Sequence, residues 1–229
     1  MCGRYYVDDD TAKEIRKLLE HLDARLSRSN GSKPDNVKRM QSQAMERLSF
    51  EEESFKVGEV RPTNEVPMLY SNQDVIDVKV SKWGFLNPVG KGVIINARAE
   101  TAFEKKTFRE SLLSRRCIIP ARGFYEWDSD KNKIYFTMQE NKFMYMAGLY
   151  RNYGEEDRFV ILTTSANQSV SDIHDRMPLI LEQEQIPSWV LDNQVTNDIL
   201  HQEPPMLNRT AEYMQAKFDF LKGSDLNSK

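Results

Sequence analysis

The sequence predicts an α+β fold in a single domain covering residues 1–229, with a mixed, largely antiparallel, barrel-like β core and peripheral helices. Three observations lead to this prediction. The chain has 229 residues, which is at or slightly above the usual length of one domain. Short apolar runs separated by Asp, Asn and Gly turns dominate its second half. There are no internal repeats and no regular alternation of strands with helices.

The first element is an amphipathic helix over residues 11–26, which follows an Asp-rich start suited to an N-cap. Its apolar side chains recur at helical spacing and should face the core: Ile15, Leu18, Leu19, Leu22 and Leu26. Residues 27–53 are polar and rich in Ser, Asn, Lys and Glu, so we expect a mobile insertion there. We also expect a frayed tail at residues 220–229.

Strand signals begin after residue 57. Alternating or continuous apolar runs predict strands at 75–80, 93–95, 117–119, 134–138, 143–150 and 158–164. A helical pattern over 101–116 predicts a helix with Phe108, Leu112 and Leu113 facing inward. Short helices or turns are expected at 167–173 and 186–200.

Composition excludes several classes of protein. The chain is 39% hydrophobic and 29% charged, which is enough apolar material for a packed core. It has no apolar run long enough for a membrane span and no signal-peptide region, so we expect a soluble, cytoplasmic protein. Cys2 and Cys117 are 115 positions apart, which by spacing alone gives neither a disulfide framework nor a zinc site. No motif predicts a metal, nucleotide or other cofactor.

The charge is unevenly distributed along the chain. The formal net charge is −3, so overall charge does not indicate nucleic-acid binding. Residues 81–122, however, contain nine basic and three acidic residues, a local charge of +6. This excess is equally compatible with an ordinary solvated face or with a phosphate-binding surface.

Cysteine at position 2 is the first unusual chemical feature. Removal of Met1 would leave Cys2 as a free N-terminus, with an amine of ordinary pKa about 7.7–8.0 and a neighbouring thiol of ordinary pKa about 8.5. Such a 1,2-aminothiol traps aldehydes, because the amine forms an imine and the thiol then closes a thiazolidine ring. The alternative is a chance cysteine with no role, and Cys117 is interpreted as a plain core residue.

Three further motifs carry candidate site residues. Asn96 and Arg98 follow an apolar strand, where Asn can orient a ligand and Arg can bind phosphate, although Asn96 is also a common turn residue. Glu126 lies among aromatic residues, which would raise its pKa and make it a candidate acid/base unless it faces solvent. His174 stands between charged residues before a proline and suits proton transfer.

These motifs occur in one chain in a fixed order. They are Cys2-Gly3-Arg4, Asn96-Ala97-Arg98-Ala99-Glu100-Thr101, Gly123-Phe124-Tyr125-Glu126-Trp127 and His174-Asp175-Arg176-Met177-Pro178. Together they resemble the SRAP family, the SOS response-associated peptidases that act as abasic-site processing proteins. The resemblance runs from Cys2 to about Pro205. The chain departs from the family pattern at 60–67 and after Trp83, where the usual second tryptophan is missing.

The resemblance implies a function and a set of roles. Cys2, freed of Met1 by autoproteolysis, would crosslink to the open-chain aldehyde of an abasic site in single-stranded DNA and shield it from cleavage. Asn96 would hold Cys2 against the sugar. Glu126 would act as acid/base, and His174 would stabilise or protonate the opened deoxyribose. The residues expected to contact DNA are Arg4, Trp83, Arg98, Trp127 and Arg176.

Stopping at the imine would give lyase-like chemistry. The resemblance also implies a monomer that works at damaged DNA in the nucleoid, together with the replication machinery.

Two other functions remain open at this point. A cysteine peptidase with an N-terminal nucleophile would use the same Cys, His and carboxylate groups. A non-covalent binder of single-stranded nucleic acid would use the basic segment and the aromatic residues, and Cys2 would then be idle.

Overall fold

Two β-sheets form the body of the molecule. The computed structural model of the chain describes residues 2–29, 55–73, 75–194 and 196–211. Its strands are β1 (Arg4–Val7), β2 (Gly58–Val60), β3 (Glu65–Asn72), β4 (Val75–Trp83), β5 (Phe85–Leu86), β6 (Val93–Ile94), β7 (Asn96–Arg98), β8 (Arg116–Ala121), β9 (Gly123–Trp127), β10 (Lys133–Thr137), β11 (Met144–Asn152), β12 (Asp157–Ser165), β13 (Arg176–Pro178), β14 (Ile180–Leu181) and β15 (Asn208–Ala211). Its α-helices are α1 (Thr11–Ser29), α2 (Lys106–Ser114), α3 (Ile186–Leu191) and α4 (Thr196–Leu200), and short 3-10 helices lie at Ala99–Thr101, Gln139–Asn141 and Gln183–Gln185.

The larger sheet joins eight strands in the order β13-β12-β4-β3-β8-β11-β14, with β7 attached to β12. β11 also pairs with β12, which closes the path β12-β4-β3-β8-β11 on itself. β12 runs parallel to β4 and β7, and the remaining pairings in this sheet are antiparallel. The predicted α+β class, with a mixed and largely antiparallel core, is confirmed.

The smaller sheet has the order β15-β10-β9-β1-β2 and is antiparallel throughout. The period of two along a strand sorts its side chains onto two faces. Phe124 is fully buried on the inner face, and Glu126, two residues further along β9, shares that face. Tyr125 and Trp127 lie on the outer face. One strand therefore supplies residues to the core and to the surface.

The apolar core consists of two clusters. One lies beneath α1, whose inward residues Ile15, Leu18, Leu19 and Leu22 are almost completely buried, as the periodicity predicts. The other lies where the smaller sheet packs on the larger one. Its largest fully buried members are Tyr5, Trp83, Phe124, Phe136 and Phe159.

Most of the predicted strands are confirmed, and the helix predicted over 101–116 is wrong at both ends. The chain forms a 3-10 helix at Ala99–Thr101, then α2, and is already extended at Arg116. The guanidinium of Arg116 binds the carbonyls of Leu112 and Leu113, which ends the helix there. Leu113 is 49% exposed instead of buried, whereas Leu112 is buried as expected.

Several expectations concern residues outside the described ranges. The insertion expected at 27–53 falls there, except that residues 27–29 complete α1, and the tail expected at 220–229 falls there entirely. The single domain over 1–229 stays a prediction. Within the described ranges, no helix combines the length and apolarity that crossing a membrane requires.

The carboxylate of Glu59 on β2 ties together strands of the smaller sheet. Its oxygens lie 2.6 Å from Arg4 Nη1, 2.9 Å from Arg61 Nη2 and 2.7 Å from Lys133 Nζ. Partial burial raises the pKa of Glu59, but hydrogen bonds from these three cations outweigh it and lower the pKa to about 2. The carboxylate is therefore a shared counter-ion for β1, β2 and β10.

Replacing Glu59 by Gln should lower the free energy of unfolding by on the order of 1 kcal/mol at neutral pH, because three cations lose their shared counter-charge. Since the pKa is depressed in the folded state, this stabilisation is present above the ordinary value of 4.5 and is lost as the pH falls through about 2. Urea unfolding of both proteins at a series of pH values should show the two stabilities converging across that window.

Glu155→Gln is the matched control, because Glu155 is a glutamate that is exposed to solvent. It should leave the stability within experimental error at every pH. A constant difference between wild type and Glu59→Gln down to pH about 2 would contradict the role assigned to the carboxylate.

Candidate active site

Cys2 lies immediately before β1, and its side chain is completely buried in the cluster between the two sheets. Its Sγ lies 3.5 Å from the carbonyl oxygen of Arg4. Burial raises the pKa of the Cys2 thiol well above its usual range, and the negative charge of Glu126 raises it further. The thiol is therefore protonated at neutral pH and needs a base before it can act as a thiolate nucleophile.

Asn96 holds the beginning of the chain in place. Its Nδ2 donates a hydrogen bond of 2.9 Å to the carbonyl oxygen of Cys2, across 94 positions of sequence. Asn96 opens β7, which is aligned by its parallel pairing with Ile161 on β12. The Oδ1 atom of Asn96 is buried and accepts no hydrogen bond within the described residues. The side-chain amide of Asn96 therefore holds the Cys2 carbonyl group with its N–H, and its Oδ1 is left as a hydrogen-bond acceptor at the site.

Glu126 lies at the end of β1 from which Cys2 emerges. Its neighbour Tyr125 pairs with Arg4, so the next step along β9 brings Glu126 level with the residues before β1. Only 5% of Glu126 is exposed. Burial raises the pKa of the carboxyl group, and a nearby positive charge on His174 would lower it in part. A buried carboxyl group of raised pKa is a candidate proton donor and acceptor.

His174 lies in the loop between β12 and β13, with about a quarter of its side chain exposed. Its Nδ1 accepts a hydrogen bond of 2.9 Å from the backbone N–H of Arg176 and lies 2.9 Å from Asp175 Oδ1. Because Nδ1 accepts a proton donor, the neutral ring carries its own proton on Nε2. Asn96 and Glu126 thus lie beside Cys2, and His174 is close enough to Glu126 for its charge to act on that carboxyl group.

Arg4 and Trp127 form the outer rim of this site. Arg4 is bound to Glu59, and its guanidinium lies 5.8 Å from the centre of the Trp127 ring. Trp127 is 37% exposed, which is high for a tryptophan in a strand. Both residues can contact a ligand that approaches the N-terminal end of β1.

Arg98 and Arg176 differ in their surroundings. Arg98 ends β7 and is exposed. Arg176 is nearly buried, and its Nη1 and Nη2 lie 2.6 and 2.8 Å from the two oxygens of Glu100. It also donates to the carbonyl oxygen of Thr163. We therefore revise the expected role of Arg176 from phosphate contact to positioning of Glu100.

Trp83 is also placed differently from the expectation. It is completely buried, with Tyr5 edge-on at 5.0 Å and Phe159 stacked at 6.5 Å. Its indole N–H donates a hydrogen bond of 3.0 Å to the carbonyl oxygen of Ile95. The expected DNA contact is corrected: Trp83 supports the strand that carries Asn96 from beneath.

The sequence analysis missed Glu59 and Tyr5. Glu59 is one polar residue in a three-residue strand, and the sequence contains no signal for its three cationic partners. Tyr5 is completely buried, and its hydroxyl has no hydrogen-bond partner within the described residues. The alternation along β1 could have placed Tyr5 in the core, but the unpaired hydroxyl could not have been foreseen.

Metal-ligating side chains do not gather at the site. Within the ranges that the structure describes, no group of three or more His, Cys, Asp or Glu side chains is arranged to hold a metal ion.

Two relatives of this chain are both named abasic site processing proteins. The chain is 38% identical over 133 residues to the abasic site processing protein YoqW of Bacillus subtilis, covering 52% of this chain and 59% of that protein. It is 30% identical over 139 residues to the abasic site processing protein YedK of Escherichia coli, covering 57% of this chain and 63% of that protein. These matches span about six tenths of the relatives' own length.

Solved structures share the fold. A crystal structure of a Bacteroides thetaiotaomicron protein superposes with a TM-score of 0.64 at 24% identity, covering 92% of this chain and 91% of that one. A Bordetella bronchiseptica protein gives the same TM-score at 22% identity, covering 92% and 99%. The family model for SOS response associated peptidase (SRAP) matches residues 1–217. With this match over nearly the whole chain, the chain belongs to the SRAP family.

Proposed function

We propose that this chain, once Met1 is removed, captures abasic sites in single-stranded DNA through a thiazolidine crosslink at Cys2. The observation that carries the proposal is the clamp on Cys2: Asn96 fixes its carbonyl group while Glu126 lies close enough to influence its thiol. Burying a carboxyl group is costly, so its burial beside a cysteine thiol is typical of a functional site. The names of the relatives YoqW and YedK support abasic-site DNA as the target.

The first step is imine formation. The neutral α-amine of Cys2 attacks the aldehyde carbon of the opened sugar and gives a carbinolamine. This intermediate loses its hydroxyl group as water when an acid supplies a proton. Glu126 suits that task, because burial raises its pKa and keeps a fraction of the carboxyl group protonated.

The second step closes the ring. Loss of water leaves a protonated imine. The sulfur of Cys2 adds to its carbon, the nitrogen keeps its proton, and Glu126, deprotonated in the first step, takes the proton that the thiol loses and is thereby restored to the acid form. The overall reaction joins aldehyde and aminothiol with loss of one water. If the reaction stops at the imine instead, the sugar can undergo β-elimination, which is the lyase-like alternative.

The remaining site residues bind and orient the sugar and its phosphates. The Nε2–H of His174 can donate to the ring oxygen of the closed sugar and so favour its opening. Arg98 and Arg4 can bind the phosphates on either side of the lesion. Trp127, half exposed at the rim, can stack on a neighbouring base.

Removal of Met1 is a precondition of this chemistry, because the nitrogen of Cys2 is an unreactive amide as long as Met1 is attached. The same Cys2, Glu126 and His174 can act on that peptide bond, with the thiol as nucleophile and the carboxyl group as acid/base. We therefore include self-removal of Met1 in the proposal, and we do not extend it to cleavage of other proteins.

Cys2→Ser should abolish the crosslink. Single-stranded DNA with one abasic site is incubated with wild type and variant and run on a denaturing gel, on which wild type alone should give a heat-stable shifted band. Intact mass should show the DNA mass added to a chain lacking Met1, minus one water.

Cys117→Ala is the matched control, since Cys117 is the second buried cysteine and lies within β8. It should crosslink at the wild-type rate. If wild-type protein shown to begin at Cys2 gives no band, covalent capture is wrong, and peptide cleavage becomes the activity to measure.

Glu126→Gln should slow crosslinking by on the order of 100-fold, because Gln cannot transfer a proton. In wild type the acid form is lost as the pH rises through a pKa that burial has raised, so the rate at saturating DNA should fall on the alkaline side. The variant should lack this dependence. Rates are measured by quenching samples at successive times across a pH series.

The exposed Glu104 provides the control, and Glu104→Gln should behave as wild type. Thermal unfolding should show Glu126→Gln to be at least as stable as wild type, because Gln removes the cost of a buried charge. An unchanged pH profile in a folded Glu126→Gln protein would exclude Glu126 as the acid.

Asn96→Ala should lower the crosslinking rate by about 10- to 100-fold, because the Cys2 carbonyl loses its donor and the amine is no longer held in place. Asn96→Asp tests the reason: it keeps the shape of Asn but cannot donate, so it should be as slow as Asn96→Ala. Affinity for undamaged DNA should be unaffected in both variants. A fast Asn96→Asp variant would show that the hydrogen bond does not matter.

A further inference from the structure

The outer face of the smaller sheet carries aromatic and basic side chains in register. Arg4 on β1 is opposite Tyr125 on β9, and Tyr125 is opposite Tyr135 on β10. In the next row Trp127 is opposite Lys133. These side chains point away from the core and away from the inner face on which Cys2 and Glu126 react. With Tyr6, they make up a surface that we call the tyrosine face: Arg4, Tyr6, Tyr125, Trp127, Lys133 and Tyr135.

The rings of the tyrosine face contact one another closely. Tyr125 and Tyr135 stack with centroids 4.7 Å apart and planes at 28°, and Tyr6 meets Tyr135 edge-on at 6.2 Å. The Tyr135 ring lies across Gly123, where an added Cβ would stand 2.8 Å from the ring. Tyr6 and Tyr135 are half-buried, and Tyr125 is only 9% exposed. The result is a continuous aromatic platform next to the more exposed Trp127.

Positive charge is in excess at one end of this platform. Arg4, Arg61 and Lys133 share the single carboxylate of Glu59. With Asp128, Asp130 and Lys131 of the adjoining turn included, four cations and three carboxylates leave a local charge of +1. Lys133 Nζ also lies 4.1 Å from the centre of the Tyr125 ring.

At the other end Arg122 contacts Asp8 and Asp10, so no cationic charge is left over there. The excess positive charge therefore lies at the end of the tyrosine face that is closest to Cys2.

We propose that the tyrosine face binds the single strand that flanks the lesion, with bases stacked on Trp127 and Tyr135 and phosphates beside Arg61 and Lys133. This inference rests on the proposed function and adds a second contact surface to it. Aromatic platforms beside surplus cations are what single-stranded nucleic acid needs, because rings stack on bases and cations bind phosphates. A duplex would not fit, since its bases are already stacked on one another.

The path follows from the order of residues along two strands. Arg4 is two residues from Cys2, and Trp127 directly follows Glu126. A strand whose lesion reaches Cys2 can therefore leave the site over Arg4 and Trp127. From there the next row of side chains across the sheet is Tyr125 and Tyr135.

The test measures binding of wild-type protein to undamaged, fluorescently labelled oligothymidylate of about 16 nucleotides, by anisotropy over a series of salt concentrations. Tyr135→Ala and Trp127→Ala should each weaken binding by about 5- to 100-fold. Arg61→Ala should reduce the slope of log affinity against log salt by about 0.7, the contribution of one phosphate on a single strand. Arg61 is 62% exposed, so this variant should fold normally.

A matched aromatic cluster elsewhere gives the control. Lys79 lies between the rings of Tyr70 and Tyr150, but Asp157 neutralises it at 2.7 Å. Tyr70→Ala should therefore bind oligothymidylate as wild type does.

If Tyr135→Ala, Trp127→Ala and Arg61→Ala all bind as wild type while wild type still crosslinks abasic DNA, the tyrosine face is not a binding surface. If the variants lose affinity but wild type forms no crosslink, the tyrosine face is a DNA-binding surface and the proposed covalent capture at Cys2 is wrong.

Discussion

The hydrogen bond from Asn96 Nδ2 to the carbonyl oxygen of Cys2 is the interaction on which the arrangement of the site depends. The first residues of a chain are usually poorly ordered unless something ties them down. Here β7 supplies the tie, and β7 is itself set by its parallel pairing with β12 and by the indole of Trp83 bonded to Ile95. The core thus positions a chain terminus as firmly as it would an internal residue.

Burial then sets the order of the chemistry. Burial disfavours the charged form of both Cys2 and Glu126, and the negative charge of Glu126 disfavours the thiolate of Cys2 further. The thiol therefore holds its proton at neutral pH and does not react prematurely. An amine needs no deprotonated thiol to form an imine, and that step uses the proton on Glu126. Only afterwards is Glu126 a base, which is when the thiol has to lose its proton.

The sequence was informative where local patterns decide structure. Alternation in 75–80 and helical spacing after Thr11 predicted β4 and α1, because burial of one face dominates both. The residue types around Cys2, Asn96, Glu126 and His174 predicted a site whose roles stay predictions, and the structure brings Asn96 and Glu126 close to Cys2. Long-range partners could not be predicted: the engagement of Arg176 by Glu100 and the burial of Trp83 depend on strands brought together from distant positions. The C-terminal end of the helix predicted over 101–116 was missed because Arg116 binds the carbonyls of Leu112 and Leu113 and also a carbonyl of Trp189, far along the chain.

The alternation of β9 links the two proposals physically. Glu126 faces the core, whereas Tyr125 and Trp127 on either side of it face outward. A strand lying on the outer face can therefore reach Glu126 and Cys2 only by turning a nucleotide inward around the end of the sheet. A nucleotide with a base would have to bring a large ring past buried side chains. An abasic sugar has no base to bring, so the geometry of one strand would select for the lesion before any chemistry begins.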